Sequence, residues 1–376
     1  MSGADFRASA DAAGALALAF DGQALSLDGA AGALGLARTA AEGALDALAA
    51  RLAPGDRPAL EALKDKRALD VRLRLVGEDG RLRLIRLIGR PGADGIWRGL
   101  ILPAGAAPEN GLEQLDLEAA LREALETGAV IAHYQPIVSL KDRRLAGFEA
   151  LARWVRADGT VMRADDFLPL ALEHGLGGAV GAAVRACAAG DAAGWRAASS
   201  SALYVAANAT AGELCDPAFA EALIETARGA GLAPGDFRLE ITETEVMRDP
   251  DAAEQAMRAL KAAGIALALD DFGTGYSSLA RLDRFPFDTV KIDRYFIRAA
   301  SADASARAII TSVVRIAHGY AMRVVAEGVE TEADAALCAD LGCDLGQGFR
   351  FARALRPADA AEAVRSGLKG RFGPPA

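Results

Sequence analysis

The chain has 376 residues, 52% hydrophobic and 25% charged, and a formal net charge of −9. Residues 1–110 hold 14 basic and 14 acidic side chains, so the excess falls entirely on the remainder, with 28 basic against 37 acidic. This argues against a non-specific binder of DNA or anionic membrane, and no stretch approaches the ~20 uninterrupted apolar residues of a membrane span. The length points to two domains, or to one large barrel with an appendage.

The start, "MSGADFRASADAAGALALAF", lacks a basic segment followed by a long apolar core, so no secretory signal is expected. Cys187, Cys215, Cys338 and Cys343 show no CxxC spacing and read as buried thiols. A cytoplasmic protein is expected.

Residues 1–104 read as a small α+β unit. "ALALAFDGQALSLDG" offers a strand, an Asp-Gly turn and a second strand. "TAAEGALDALAARL" and "PGDRPALEALKDK" are helical, and "ALDVRLRLVGEDGRLRLIRLIG" alternates apolar and basic residues on both sides of a turn. "GIWRGLILPAG" closes the unit as a further strand. A strand pair, short helices and a three-strand meander resemble a PAS sensory domain. Residues 105–114 are a linker by composition. "LDLEAALREALETG" follows as a helix, with Leu117, Leu121 and Leu125 in register and Gly128 as a stop.

From about residue 130, apolar strand candidates alternate with helical stretches. The strands are "VIAHYQPIVSL", "RLAGFEALARWV", "ALYVAAN", "FRLEIT", "IALALDD", "TVKID", "RVVAEG" and "DLGQGF". About eight strand-helix units predict a TIM-like barrel. Only "KDRR" separates the first two strands, which predicts an antiparallel hairpin there.

The downstream ends of these strands carry Glu149, Asn208, Glu240, Asp270 with Asp271, Lys291 with Asp293, Glu327, and Gln347. In a parallel barrel such ends converge on one face. Singly, each is better read as a cap, a turn former or a solvated strand end; as a set they have no such explanation. Asp270 and Asp271 are adjacent carboxylates behind an apolar run, where their repulsion and desolvation are costly unless divalent cations lie between them and their neighbours. The oxygen-donor set Glu149, Asn208, Glu240, Asp270 and Asp271 suits Mg²⁺ or Mn²⁺ and argues against zinc. Two such ions can clamp a phosphodiester for in-line attack by water. "DFG" at 271–273 has no kinase catalytic loop beside it, "GTGYSS" lacks the third glycine of a dinucleotide fingerprint, and Walker A and HExxH sequences are absent.

Seven ordered motifs carry a family resemblance: "YQPIV" (134–138), "GFEALARW" (147–154), "LEITET" (239–244), "DDFGTGYSSL" (270–279), "KID" (291–293), "AEGVET" (326–331) and "QGF" (347–349). Residues 115–376 resemble the EAL domain, the phosphodiesterase of the bacterial messenger cyclic di-GMP. The resemblance implies a modified TIM-like (β/α)8 barrel with one antiparallel strand, preceded here by the PAS-like domain, and hydrolysis of cyclic di-GMP to linear pGpG. It implies that Glu149, Asn208, Glu240 and Asp270 hold one Mg²⁺ or Mn²⁺ ion and that Asp271 serves a second, with Asp270 bridging. Lys291 would hold the nucleophilic water or the phosphate, and Glu327 would be a general base or a group beside the metals. Gln135, Leu151, Arg153 and Gln347 fall on substrate contacts, while Glu243 and Glu330 fall on loop-stabilising positions.

Around Asn208 the family reads close to Val-Asn-Leu-Ser, whereas this chain has "AANAT", with smaller neighbours. The alternative reading is a catalytically weak cyclic di-GMP receptor or a protein-interaction scaffold. No cyclase signature accompanies the domain. Residues 1–110 contain neither Cys nor His, so neither haem nor flavin is expected there. A dimerisation or protein-contact platform is the expected role of that unit, and a homodimer the expected assembly.

Overall fold

The computed structural model describes residues 15–29, 42–43, 45–77, 79–92, 94–104, 111–198, 202–272 and 284–368. The chain divides into two compact units, Met1–Glu123 and Ala124–Ala376.

The first unit is built on strands β1 (Leu16–Phe20), β2 (Leu25–Gly29), β3 (Glu42–Gly43), β4 (Leu69–Val76), β5 (Leu82–Pro91) and β6 (Trp97–Pro103). They form one antiparallel sheet in the order β3-β2-β1-β6-β5-β4. Helix α1 (Leu45–Arg51), a 3₁₀ stretch (Pro54–Leu60) and α2 (Glu61–Lys64) lie between β3 and β4. This is the strand pair, helical insertion and meander that the PAS-like reading expects. The period-two pattern of β4 and β5 sends Leu73, Leu75, Ile85 and Leu87 into a core around the fully buried Trp97. Asp56, in the 3₁₀ stretch, accepts from the backbone N–H of Arg74 and pairs with its guanidinium. That guanidinium also donates to the buried Glu118 of helix α3 (Gly111–Thr127) at 2.7 Å.

The second unit is a closed barrel. Its strands are β7 (Val130–Ser139), β8 (Leu145–Val155), β10 (Tyr204–Asn208), β11 (Phe237–Thr242), β12 (Ala266–Phe272), β13 (Thr289–Ile292), β14 (Arg323–Ala326) and β15 (Leu345–Gln347), with β9 (Val161–Arg163) added outside β8. Pairing of β8 with β10 closes the ring. β7 runs antiparallel to both β15 and β8, and the other barrel pairs are parallel. A short reversal such as "KDRR" can join only antiparallel strands, because a parallel neighbour needs a crossover of a dozen or more residues.

The crossovers begin with α4 (Ala164–Glu173) and α5 (Gly177–Ala198). α6 (Ala211–Leu214), α7 (Pro217–Gly229), α8 (Glu243–Arg248) and α9 (Pro250–Ala262) follow, then α10 (Arg294–Ala300), α11 (Ala304–Gly319), α12 (Glu332–Asp340) and α13 (Pro357–Ser366). Some acidic residues after strands are helix caps, as the simple reading of such positions expects. Asp293 is one: its Oδ1 accepts from the Tyr295 N–H at 2.8 Å and starts α10. No helix among the described residues is long and apolar enough to cross a membrane.

Candidate active site

Register decides which side chains meet. Asn208 pairs with Glu240, Thr242 with Asp270, and Gln135 with Glu149 across neighbouring strands. The period of two then brings Glu149, Asn208, Glu240, Asp270 and Lys291 to the inside of the barrel near its mouth. Glu327 follows β14 directly, and its N–H donates to the Ile292 carbonyl at 3.0 Å.

Lys291 is the hub. Its side chain is 2% exposed, with the ammonium 2.7 Å from Glu327, 3.0 Å from Glu240, 3.1 Å from Asp270 and 3.7 Å from Glu149. Read alone from the sequence, a lysine at a strand end belongs in solvent. Here burial disfavours the ammonium, but the attraction of Asp270, Glu149, Glu240 and Glu327 outweighs it and holds the Lys291 pKa well above its ordinary value. The acids show the reverse balance. Burial pushes Glu240 well above the carboxylate range, against the pull of Lys291. Burial likewise pushes Glu327 up to about 8. One ammonium thus faces four acid groups, more than a single cation can pair.

The adjacent pair Asp270–Asp271 is made compatible with one site by the backbone. Successive strand residues normally face opposite sides of a sheet. β12 has a register shift between Leu269 and Phe272, and Asp271 takes φ of 53°, a conformation that costs a non-glycine residue on the order of 1–3 kcal/mol. Carboxylate oxygens of Asp270, Asp271 and Glu327 consequently lie within 4.8 Å of one another. Burial and the charge of Asp270 raise the Asp271 pKa.

On the opposite wall, Gln347 Nε2 donates to Glu149 Oε2 at 2.5 Å and to Gln135 Oε1 at 3.2 Å. Asn208 Nδ2 donates to Glu149 Oε1 at 3.2 Å. Leu151 and Arg153 continue the face of β8 that carries Glu149. The half-buried Arg153 guanidinium donates to the Ala152 carbonyl at 2.7 Å, and burial together with Arg163 lowers its pKa.

Two predicted residues stand apart from this cluster. Glu330 pairs with Arg298 of α10 at the surface. Glu243 opens α8 beside the Thr242–Glu245 capping box. The segment that Glu243 is expected to steady, with Gly273 and Gly275, lies in residues 273–283, outside the described residues. Sequence reasoning did not identify Arg185 and Glu213, a buried ion pair behind Asn208. The signal was the arginine inside the apolar run "GLGGAVGAAVRACAAG".

The fold and the cluster define a TIM-like barrel with an oxygen-donor site at its mouth. Residues 118–354 match the EAL domain family, and the chain belongs to it. Over 244 residues it is 36% identical to the bifunctional diguanylate cyclase/cyclic di-GMP phosphodiesterase MucR of Pseudomonas aeruginosa, covering 65% of this chain and 36% of that protein. Over 254 residues it is 35% identical to the cyclic di-GMP phosphodiesterase NbdA of the same organism, covering 68% and 32%. A solved complex of the PaMucR phosphodiesterase with c-di-GMP is similar with a TM-score of 0.62 at 34% identity, covering 65% of this chain and 99% of that one. The chain spans about a third of the length of the curated relatives it matches.

Proposed function

We propose that the barrel hydrolyses cyclic di-GMP to linear pGpG with the help of two divalent cations, Mg²⁺ or Mn²⁺. One observation carries this reading: a set of oxygen donors, of which Glu149, Glu240 and Asp270 are buried, gathered around the buried Lys291 at the mouth of a barrel that belongs to the EAL domain family.

The residues present fit such ions. The donors are carboxylates and one amide, the preference of hard cations, and among the described residues no His or Cys joins them. Four carboxylates around one ammonium form an arrangement that further positive charge would relieve. Glu149, Asn208, Glu240 and Asp270 would hold one ion, and Asp271 with Asp270 a second. When bound, the pair would neutralise the site, polarise the phosphoryl oxygens and orient the attacking water.

The chain's own groups do the rest. Lys291 supplies a fixed positive charge from the barrel floor to the anionic diester. Glu327, at 18% exposure the most accessible of the four carboxylates around Lys291, would accept the proton of the attacking water. Gln347 braces Glu149 and is itself bonded to Gln135, and Gln135, Leu151, Arg153 and Gln347 would line the approach for the substrate. The first unit, with a core of its own, acts as a dimerisation or protein-contact platform that regulates the barrel of a homodimer.

The test is product analysis. Cyclic di-GMP incubated with the full chain and Mg²⁺ or Mn²⁺ should give pGpG, and EDTA should stop the reaction. Binding of cyclic di-GMP without turnover under every metal condition would favour the receptor reading instead.

A further inference from the structure

Arg185 lies in the middle of α5, 4% exposed, and faces the end of β10. Its Nη1 donates to the backbone carbonyl of Asn208 at 2.9 Å. Its Nη2 pairs with Glu213 of α6, whose other carboxylate oxygen accepts from the Thr210 N–H at 2.9 Å and the Thr210 hydroxyl at 3.1 Å. One buried ion pair thus grips both sides of the turn 208–210. The middle of that turn is tied to the next strand, because the Ala209 N–H donates to the Glu240 carbonyl at 2.9 Å.

The surroundings are shaped around this pair. The Phe219 ring lies over the guanidinium, 5.0 Å from its carbon. One turn earlier in α5 stands Gly181, where a Cβ would sit 2.6 Å from Arg185 Nη1 and 3.1 Å from Glu213 Oε1. Glycine inside a helix is unfavourable relative to alanine, and at this position it leaves the ion pair its room. A buried ion pair is weak evidence for stability, because its desolvation offsets its attraction. Its geometry, however, is specific to one strand end. It fixes the backbone from which the Asn208 amide reaches Glu149 and the cluster.

We infer that Arg185 and Glu213 are positioning residues for Asn208: they hold the end of β10 so that its amide oxygen faces a divalent cation. The inference rests on the proposed role of Asn208 as a metal ligand. Partners behind a metal ligand typically contribute about 10–100-fold in metal affinity.

The experiment is Mn²⁺ titration of the full chain by calorimetry, with melting temperature recorded without metal. Arg185→Met alone leaves Glu213 buried and unpaired and should melt lower. The double variant Arg185→Met/Glu213→Met removes both charges and should regain most of the metal-free melting temperature. It should still bind Mn²⁺ about tenfold or more weakly. Gly181→Ala retains both charges, crowds the guanidinium, and should weaken Mn²⁺ binding in the same direction.

Wild-type Mn²⁺ affinity in the double variant, or in Gly181→Ala should the double variant not fold, would overturn the inference. The metal-ligand reading has its own control. Asn208→Ala binding Mn²⁺ as tightly as wild type would contradict that reading whatever the Arg185 variants do.

Discussion

Replacing Lys291 with methionine isolates the charge balance of the barrel mouth. Methionine fills a similar volume without a charge, so Glu327, Glu240, Asp270 and Glu149 lose a cation that lies 2.7–3.7 Å from each. Breaking a buried ion pair by removing one partner costs about 3–5 kcal/mol. A unit the size of residues 124–376 loses about 2–4 °C per kcal/mol, so the barrel's melting temperature in EDTA near pH 8 should fall by about 6–20 °C.

The effect has a pH sign. A carboxyl whose folded pKa is raised stabilises the fold while protonated, and this is lost as pH rises through the folded value. Burial raises Glu240 well above its usual range and Glu327 to about 8. The deficit of the variant should therefore be largest near and above pH 8 and should shrink on acidification toward the ordinary carboxylate range. Saturating Mn²⁺ should recover much of the lost stability by replacing the missing charge, while turnover stays lost. Scanning calorimetry of wild type and Lys291→Met in EDTA at both pH values, then with Mn²⁺, reads all of this. A deficit below about 2 °C near pH 8, or one that grows on acidification, would refute the charge-balance reasoning.

Other perturbations act on neighbouring groups of the protein. Glu149→Ala removes the acceptor of Gln347 and Asn208 and should abolish pGpG formation; more than about a tenth of wild-type activity at saturating metal would remove Glu149 from the metal site. Ca²⁺ accepts longer bonds, ~2.3–2.6 Å, and looser geometry than Mg²⁺, so it should permit cyclic di-GMP binding while suppressing hydrolysis, reversibly with excess Mg²⁺. Equal turnover in the two ions would count against a geometry-demanding site. Deleting residues 1–104 takes Arg74 and Gly55 away from Glu118, so the start of α3 should fray while the barrel keeps its own core. The rate or the oligomeric state should change, and a truncated chain matching full length in both would end the regulatory reading.

The barrel was legible because its strands announce themselves. Runs such as "IALALDD" and "TVKID" are too short and too apolar for surface helices, and each ends in a polar residue. The hairpin β7–β8 followed from the short stretch "KDRR" between its two strand candidates. The exposed strand β9, three residues long, has no comparable pattern and was not anticipated.

At the site, the identity of the oxygen donors was readable, but their energetics were not. Lys291 is 51 residues from Glu240 and 142 from Glu149 in the chain, so its burial among four acids is a product of strand register rather than of any local pattern. The left-handed φ that turns Asp271 back toward Glu327 is equally silent in a sequence that places aspartate, not glycine, there. Arg185 and Glu213 meet only because α5 packs against the end of β10.

The most direct test of the two-cation site is anomalous diffraction from crystals of the full chain grown with Mn²⁺ and soaked with cyclic di-GMP. Two manganese peaks about 3.5–4 Å apart are expected. One should lie among Glu149, Asn208, Glu240 and Asp270, the other against Asp270 and Asp271, with a phosphodiester group of the substrate between them and the lysine hub. A substrate-bound crystal whose manganese lies elsewhere, or whose carboxylates contact Lys291 alone, would contradict it.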